Sequence, residues 1–279
     1  MVVISAKKKR KIFNKILSDI KSVKIQGARN IAKKALYAYS LIPSLSSKDK
    51  LVSARPTEPM LKNVLDKFNH NSYNKLISHF DKTQDSINKN ILKIIKNRDK
   101  IFTHCHSTNV VNALKYSKKN GKNFEVYNTE TRPLFQGRKT AKELAKAGIK
   151  VTQFVDSGFA IAIEKENKKD KIYSNKVFLG ADAILTKGII NKIGSKTISE
   201  LAMLHKLPLY VIADSWKFSK NQVPIEQRKL NEVWDKAPQK IKINNPAFEF
   251  VPKKYIYRII SEFGILKYAD FVKKQKNYN

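Results

Sequence analysis

Apolar residues recur at Ile12, Phe13, Ile16, Leu17 and Ile20 within an otherwise polar stretch, a helical spacing that predicts a helix over 5–23. The same period returns at Leu76, Ile77 and Phe80, then at Ile87, Ile91, Leu92, Ile94 and Ile95. Residues 58–98 therefore read as two helices, broken at the polar cluster Asn69-His70-Asn71-Ser72. A helix over about 30–40 follows Ile25-Gln26-Gly27-Ala28-Arg29. The turn Leu51-Val52-Ser53-Ala54-Arg55-Pro56-Thr57 leads into the next helix, with Pro56 suited to its start. The first third of the chain is expected to be all helical.

At Ile101 the pattern changes. Short apolar runs at 100–103, 123–127, 150–155, 176–179 and 209–213 read as strands. Helix-like stretches at 108–119, 138–147, 157–165 and 195–206 separate them. Such alternation implies a mostly parallel, doubly wound sheet. The expected class is α/β: a helical N-terminal domain over 1–97, then a Rossmann-like domain over 98–279, with the site between them.

The first strand runs into Thr103-His104-Cys105-His106-Ser107-Thr108-Asn109, which carries the chain's only cysteine. Loops at C-terminal strand ends are where open α/β sheets bind ligands. The following helix N-terminus offers N–H groups to an anion, and its dipole is expected to ease ionisation of Cys105. The alternative is a buried cysteine acting as a small hydrophobe. Three more strand-end loops, at 128–138, 180–194 and 213–218, add Asp182, Asn191, Lys192 and Lys217. A thiol facing a carboxyl can act as an acid/base pair when burial shifts both pKa values. Gly27 lets the backbone approach a phosphate closely; Arg29 adds a cation there, and Arg55 is a candidate to reach the cleft. The chain has no GxGxxG or Walker motif and no His/Cys set with zinc spacing, and His104 with His106 is too little for a metal. No cofactor and no metal are expected.

Composition narrows the class. With 279 residues, 42% of them hydrophobic, the chain can bury a sizeable core. One cysteine excludes an intrachain disulfide and points to a reducing, cytoplasmic setting. Met1 to Ala6 lacks a secretory pattern, and no run approaches the roughly 20 apolar residues of a membrane span. The net charge of +33 fits nucleic acid, a lysine-rich proteome, or steering of a polyanionic small molecule. Without a zinc-finger, RRM or helix-turn-helix signature, nucleic-acid binding is not the expected main function.

Several motifs fall in a familiar order: Gln26-Gly27-Ala28-Arg29, Ala54-Arg55-Pro56-Thr57, Thr103-His104-Cys105-His106-Ser107, Glu130 to Arg138, Gly180-Ala181-Asp182-Ala183-Ile184, Ile190 to Gly194, Trp216-Lys217-Phe218 and Asn245 to Pro252. Through them the chain resembles the family that joins the α, β and δ subunits of eukaryotic initiation factor 2B, methylthioribose-1-phosphate isomerase and archaeal ribose-1,5-bisphosphate isomerase. Its isomerases carry the cysteine and the aspartate; the initiation-factor subunits generally lack the cysteine. The Thr-His-Cys-His-Ser form looks most like the ribose-1,5-bisphosphate enzyme, since the methylthioribose-phosphate enzymes more often have asparagine after the cysteine.

The resemblance implies conversion of ribose 1,5-bisphosphate to ribulose 1,5-bisphosphate, on a route from nucleoside monophosphates such as AMP. It makes Cys105, as thiolate, the base at C2, and Asp182, entering protonated, the proton donor that helps the ring open through a cis-phosphoenolate. That demands a depressed thiol pKa and a raised carboxyl pKa in one dry pocket. It carries over Gln26, Gly27, Ala28, Arg29, Arg55, Ser107, Thr108, Asn109, Gln136, Asn191, Lys192 and Lys217 as binding positions. Two departures stand out: Gln26 replaces a usual arginine, and the 182–191 segment looks short. The family implies a homo-oligomer, dimer or hexamer. The alternatives are a non-catalytic regulatory subunit, with a translation factor or nucleic acid as partner, and methylthioribose-1-phosphate isomerase. A second basic cluster near Arg29 or Arg55 would speak against the latter, and an apolar pocket there would favour it.

Overall fold

The computed structural model describes residues 5–69, 71–164 and 173–278. Ser5 caps helix α1 (Ala6–Lys21), accepting from the Lys8 N–H, and the helix buries Phe13, Ile16 and Ile20. Helix α2 (Ala28–Leu41) starts behind Gly27, whose φ of 83° suits glycine. Helix α3 (Leu45–Ala54), capped by the Ser44 side chain, was not expected. Only Ser47, Leu51 and Ala54 of it are buried, so its apolar stripe is too thin to read. Helix α4 (Pro59–Asp66) starts at Pro59 rather than Pro56, and α5 (Tyr73–Ile94) follows the expected polar break. His70, within that break, lies outside the described residues. Ile31, Leu36, Leu51, Met60, Leu61 and Phe80 form the helical core, which closes on Trp216.

Beyond α5 come β1 (Asp99–Thr103), α6 (Thr108–Lys119), β2 (Phe124–Thr129), α7 (Gln136–Lys146), β3 (Lys150–Phe154), α8 (Phe159–Ile163) and β4 (Lys176–Leu179). The expected helix over 157–165 is a 3₁₀ turn followed by the five-residue α8, and Lys165 lies outside the described residues. Then follow β5 (Ala183–Ile184), β6 (Gly188–Lys192), α9 (Ser195–Leu204), β7 (Leu209–Ile212), β8 (Phe248–Pro252), β9 (Arg258–Ser261), β10 (Gly264–Leu266) and α10 (Tyr268–Tyr278).

The main sheet has seven strands in the order β10-β9-β7-β4-β1-β2-β3, parallel except for β10 against β9. Neighbouring residues on a strand face opposite sides. Phe102, Val177 and Val211 pack into one core, while Ile101, Phe178 and Ile212 pack into the other. A smaller antiparallel sheet, β5-β6-β8, replaces the loop expected over 180–194. From β1 the chain builds β2 and β3 outward on one side, then returns to β4 on the other. The crevice beyond β1 and β4 is thus the switch point at which doubly wound sheets bind ligands.

Helix α5 joins both halves: Leu76 and Phe80 belong to the helical core, whereas Ile87 and Ile91 pack on the sheet. Asn63 donates to the Trp216 and Phe218 carbonyls at 2.7 and 2.9 Å. The His79 ring stacks on Trp216 with centroids 3.5 Å apart and lies 3.3 Å from the Asp214 carboxylate. Among the described residues no helix is long and apolar enough to cross a membrane.

Candidate active site

Strand β1 ends in a sharp reversal that leaves Cys105 at φ 65°, a left-handed conformation uncommon for a non-glycine residue. Two hydroxyls pin it there. The Cys105 N–H donates to Thr131 Oγ1 at 3.1 Å, and Thr140 Oγ1 donates to the Cys105 carbonyl at 2.8 Å. Asp156 holds the turn carrying Thr131, accepting from the N–H groups of Thr131 and Arg132 at 2.8 and 2.6 Å. His104 braces the other side. Its Nε2–H donates to the Ile193 carbonyl at 2.9 Å, and its Nδ1 accepts from Thr129 Oγ1 at 2.6 Å. Burial lowers the His104 pKa, so the ring is a neutral strut. His106 is also held neutral, its pKa pushed down to about 4 by burial and by Lys139.

Strand β4 delivers Gly180-Ala181-Asp182 beside this loop. A Cβ on Gly180 would lie 2.7 Å from Ser107 Cβ and Oγ, so glycine permits the two strand ends to touch. The Asp182 N–H donates to the Ile190 carbonyl at 2.9 Å. Ala183 pairs with Ile190, so the β5–β6 hairpin lays Asp182 alongside Asn191 and Lys192. After β7, a 3₁₀ turn brings in Lys217, whose Nζ donates to the Ala181 carbonyl at 2.6 Å.

One cavity gathers these groups. Its lining includes Gln26 to Asn30, Arg55, His104 to Asn109, Gln136, Lys139, Gly180 to Asp182, Asn191, Lys192 and Lys217, so every candidate position reaches it. Three helix N-termini open there: α2 at Ala28, α6 at Thr108 and α7 at Gln136. Together with Lys139, Lys192 and Lys217 they form an anion-binding concavity. Several candidates also have structural work. Ser107 caps α6, Asn109 Nδ2 donates to Gln84 Oε1 at 3.0 Å, and Asn191 Nδ2 donates to Ser195 Oγ at 2.8 Å. Arg29 is paired with Asp81.

The electrostatics differ from expectation at one atom. Asp182 is raised by burial, against the opposing pull of Lys217, Arg55 and Lys192. Cys105 is not depressed: burial pushes the thiol up to about 11, with Lys192 the main opposing charge and Asp182 adding to the rise. At this loop desolvation outweighs the opposing pull of Lys192 and of the backbone hydrogen bond from His106.

The cavity is also lined by residues that the sequence did not single out: Glu58, Glu226, Arg228 and Glu232. Arg55 Nη2 lies 3.6 Å from Glu58 and 3.2 Å from Glu226. Arg228 bridges Glu226 at 2.9 Å and Glu232 at 2.5 Å. Glu226 and Arg228 come from the irregular segment between β7 and β8, where no periodicity exists to read. The surroundings of Arg55 are therefore ionic, with both arginines matched by carboxylates, rather than purely basic or apolar. The one His/Asp/Glu group close enough to hold a metal ion among the described residues is His79, Asp214 and Glu262, away from this cavity. Its carboxylates accept from Ser215 and from the Trp216 N–H.

The sequence model of the initiation factor 2 subunit family matches residues 24–268. The ribose 1,5-bisphosphate isomerase of Methanocaldococcus jannaschii is 34% identical, covering 91% of this chain and 91% of its own length. The methylthioribose-1-phosphate isomerase of Syntrophus aciditrophicus is 36% identical, over 63% of this chain and 52% of its own. The crystal structure of Pyrococcus horikoshii translation initiation factor eIF-2B superposes with a TM-score of 0.80, covering 91% of this chain and 96% of that one. At 22% identity that likeness concerns the fold. With the family model spanning most of its length and a relative aligned along nearly all of it, the chain belongs to the initiation factor 2 subunit family.

Proposed function

We propose that the chain is a sugar-phosphate isomerase that converts ribose 1,5-bisphosphate to ribulose 1,5-bisphosphate. The observation that carries the reading is one cavity holding a thiol, a carboxyl whose pKa burial raises, three helix N-termini and three lysines. The helix ends and lysines suit phosphates; the thiol and carboxyl suit movement of protons at neighbouring carbons.

The steps balance without a redox partner. Asp182 donates its proton to the ring oxygen as the C1–O bond breaks. Cys105, as thiolate, removes the C2 proton, and that electron pair forms the C1=C2 bond of a cis-phosphoenolate. The Asp182 carboxylate then takes the C2 hydroxyl proton while Cys105 returns its proton to C1, leaving a ketone at C2. Lys192 is the cation opposing the upward shift of the thiol, so it favours the thiolate that this route needs. Assembly as a homo-oligomer belongs to the same reading.

Methylthioribose 1-phosphate is the second substrate considered, favoured by the Syntrophus relative and by the apolar lining at Leu134, Ala247 and Phe248. Against it stands the Methanocaldococcus relative, aligned along nearly all of this chain; Arg55 and Arg228, each matched by carboxylates, favour neither sugar. Kinetics on both sugars separate the readings. We expect kcat/KM to favour ribose 1,5-bisphosphate by at least about 100-fold, a difference of roughly 3 kcal/mol. Equal or reversed preference would replace it with the methylthioribose reading.

A further inference from the structure

Strand β7 ends level with β9: Ile212 pairs with Ile260, and the Ala213 N–H still donates to the Ile260 carbonyl at 3.1 Å. That register sets Ser215, the first residue of the 3₁₀ turn beyond β7, beside Glu262 in the β9–β10 turn. Both Glu262 carboxylate oxygens go to Ser215. Oε2 accepts its N–H at 3.1 Å, and Oε1 accepts its hydroxyl. Ser215 is fully buried, so bulk water does not share these bonds. Hydrogen bonds to a carboxylate are roughly twice as strong as those between neutral groups.

The turn is then closed from within. The Asp214 carboxylate accepts the Trp216 N–H at 2.8 Å, and the Asp214 and Ser215 carbonyls accept the Lys217 and Phe218 N–H groups at 3.1 and 3.0 Å. What the turn carries into the cavity is Lys217, 7% exposed, with Nζ on the carbonyl of Ala181, one residue before Asp182. Glu262 itself does not line that cavity. It lies within 4.8 Å of the Asp214 carboxylate, where like charges repel. Asp214 is shared between His79 and the turn, whereas Glu262 commits both oxygens to Ser215.

We propose that Glu262 is a positioning residue for Lys217: gripping Ser215 by two hydrogen bonds, it fixes the 3₁₀ turn that points the lysine at the strand end carrying Asp182. Its consequence for catalysis rests on the isomerase reading, in which Lys217 binds substrate beside the proton donor.

The test reads Lys217 itself. The whole protein without substrate is acylated by an amine-reactive ester, and the rate at each lysine is followed by mass spectrometry. Glu262→Met keeps the length of the side chain and removes both acceptors. Lys217 should then acylate at least about 10-fold faster, the scale expected when hydrogen bonds to a charged group are lost. Lys176, also largely buried and paired with Asp99 at 2.7 Å, should keep its wild-type rate. Glu262→Gln, which can still accept the Ser215 N–H and donate to its hydroxyl, should stay near the wild type. Should Glu262→Met fail to fold, Ser215→Ala deletes one of the two bonds from the other end and should speed Lys217 in the same sense. An unmoved Lys217 rate, a rise shared by Lys176, or a Glu262→Gln as fast as Glu262→Met overturns the proposal. In kinetics, Glu262→Met and Lys217→Met together should lose no more kcat/KM than Lys217→Met alone; losses that multiply would show that Glu262 acts elsewhere. Because acylation needs no turnover, a wild type inert toward ribose 1,5-bisphosphate would sink the isomerase reading and leave the positioning role decided separately.

Discussion

The two walls of the cavity are built on opposite plans. Around Cys105 the polar groups are paired: its N–H and C=O have hydroxyl partners, and His104 is bonded at both ring nitrogens. Across from it, Arg55 Nε, Arg55 Nη1 and Glu58 Oε2 are buried without partners. Buried polar atoms are almost always satisfied, so the concentration of orphans at Arg55 and Glu58, with Gln136 Oε1 also unpartnered at the start of α7, calls for an explanation. On the proposed isomerase reading, the paired wall would fix the reacting atoms in place, and the unpaired one would keep donors and acceptors for hydroxyl and phosphate groups of a sugar. Rigidity and recognition are divided between the sheet and the segments facing it.

The strongest blow to that contrast is Arg55→Met. It strips the shared cation from Glu58 and Glu226, and losing one partner of a buried ionic group costs about 3 kcal/mol. Urea denaturation should show that loss, with KM rising more than kcat falls. A loss under about 1 kcal/mol would mean that Arg55 does not organise its wall.

Gly180→Ala attacks the other wall. The new Cβ would meet Ser107 at 2.7 Å, so the Cys105 loop must move away from β4. A displacement of this kind can cost about 100-fold in kcat. KM should change little, because the facing wall is untouched, and a variant with full kcat would show that the loop has slack.

The smallest expected effect sharpens the comparison with a carboxyl outside the cavity. Burial, and then the Asp214 carboxylate, raise Glu262 from 4.5 to about 7. An acid whose folded pKa is raised contributes stability that is fully present below its unfolded pKa and is lost as pH rises through the folded one. The wild-type Tm should therefore decline between about pH 5 and pH 7 more steeply than that of Glu262→Gln. Parallel curves would remove Glu262 from the pH dependence.

Much of the architecture was legible because the hydrophobic period changes sharply at Ile101. Helix α6 occupies 108–119 as read, and β1, β4 and β7 lie within a residue of expectation at each end. The antiparallel β5-β6-β8 sheet escaped because β5 has two residues and β6 is buried throughout, leaving no alternation to see. Cys105 and Asp182 stood out by residue type at strand ends. The raised thiol pKa did not, since burial is a property of the assembled pocket rather than of the loop. Glu58, Glu226 and Arg228 were missed for a related reason: their meeting is long-range, and nothing local in their segments marks them as cavity residues.

The most direct test is turnover of ribose 1,5-bisphosphate by the pure protein beside Cys105→Ser and Asp182→Asn, with folding checked by circular dichroism. Ribulose 1,5-bisphosphate should form with the wild type, and each variant should lose at least about 1,000-fold in kcat while still folding. A wild type that forms no product, or a folded Cys105→Ser that keeps its rate, would contradict the account.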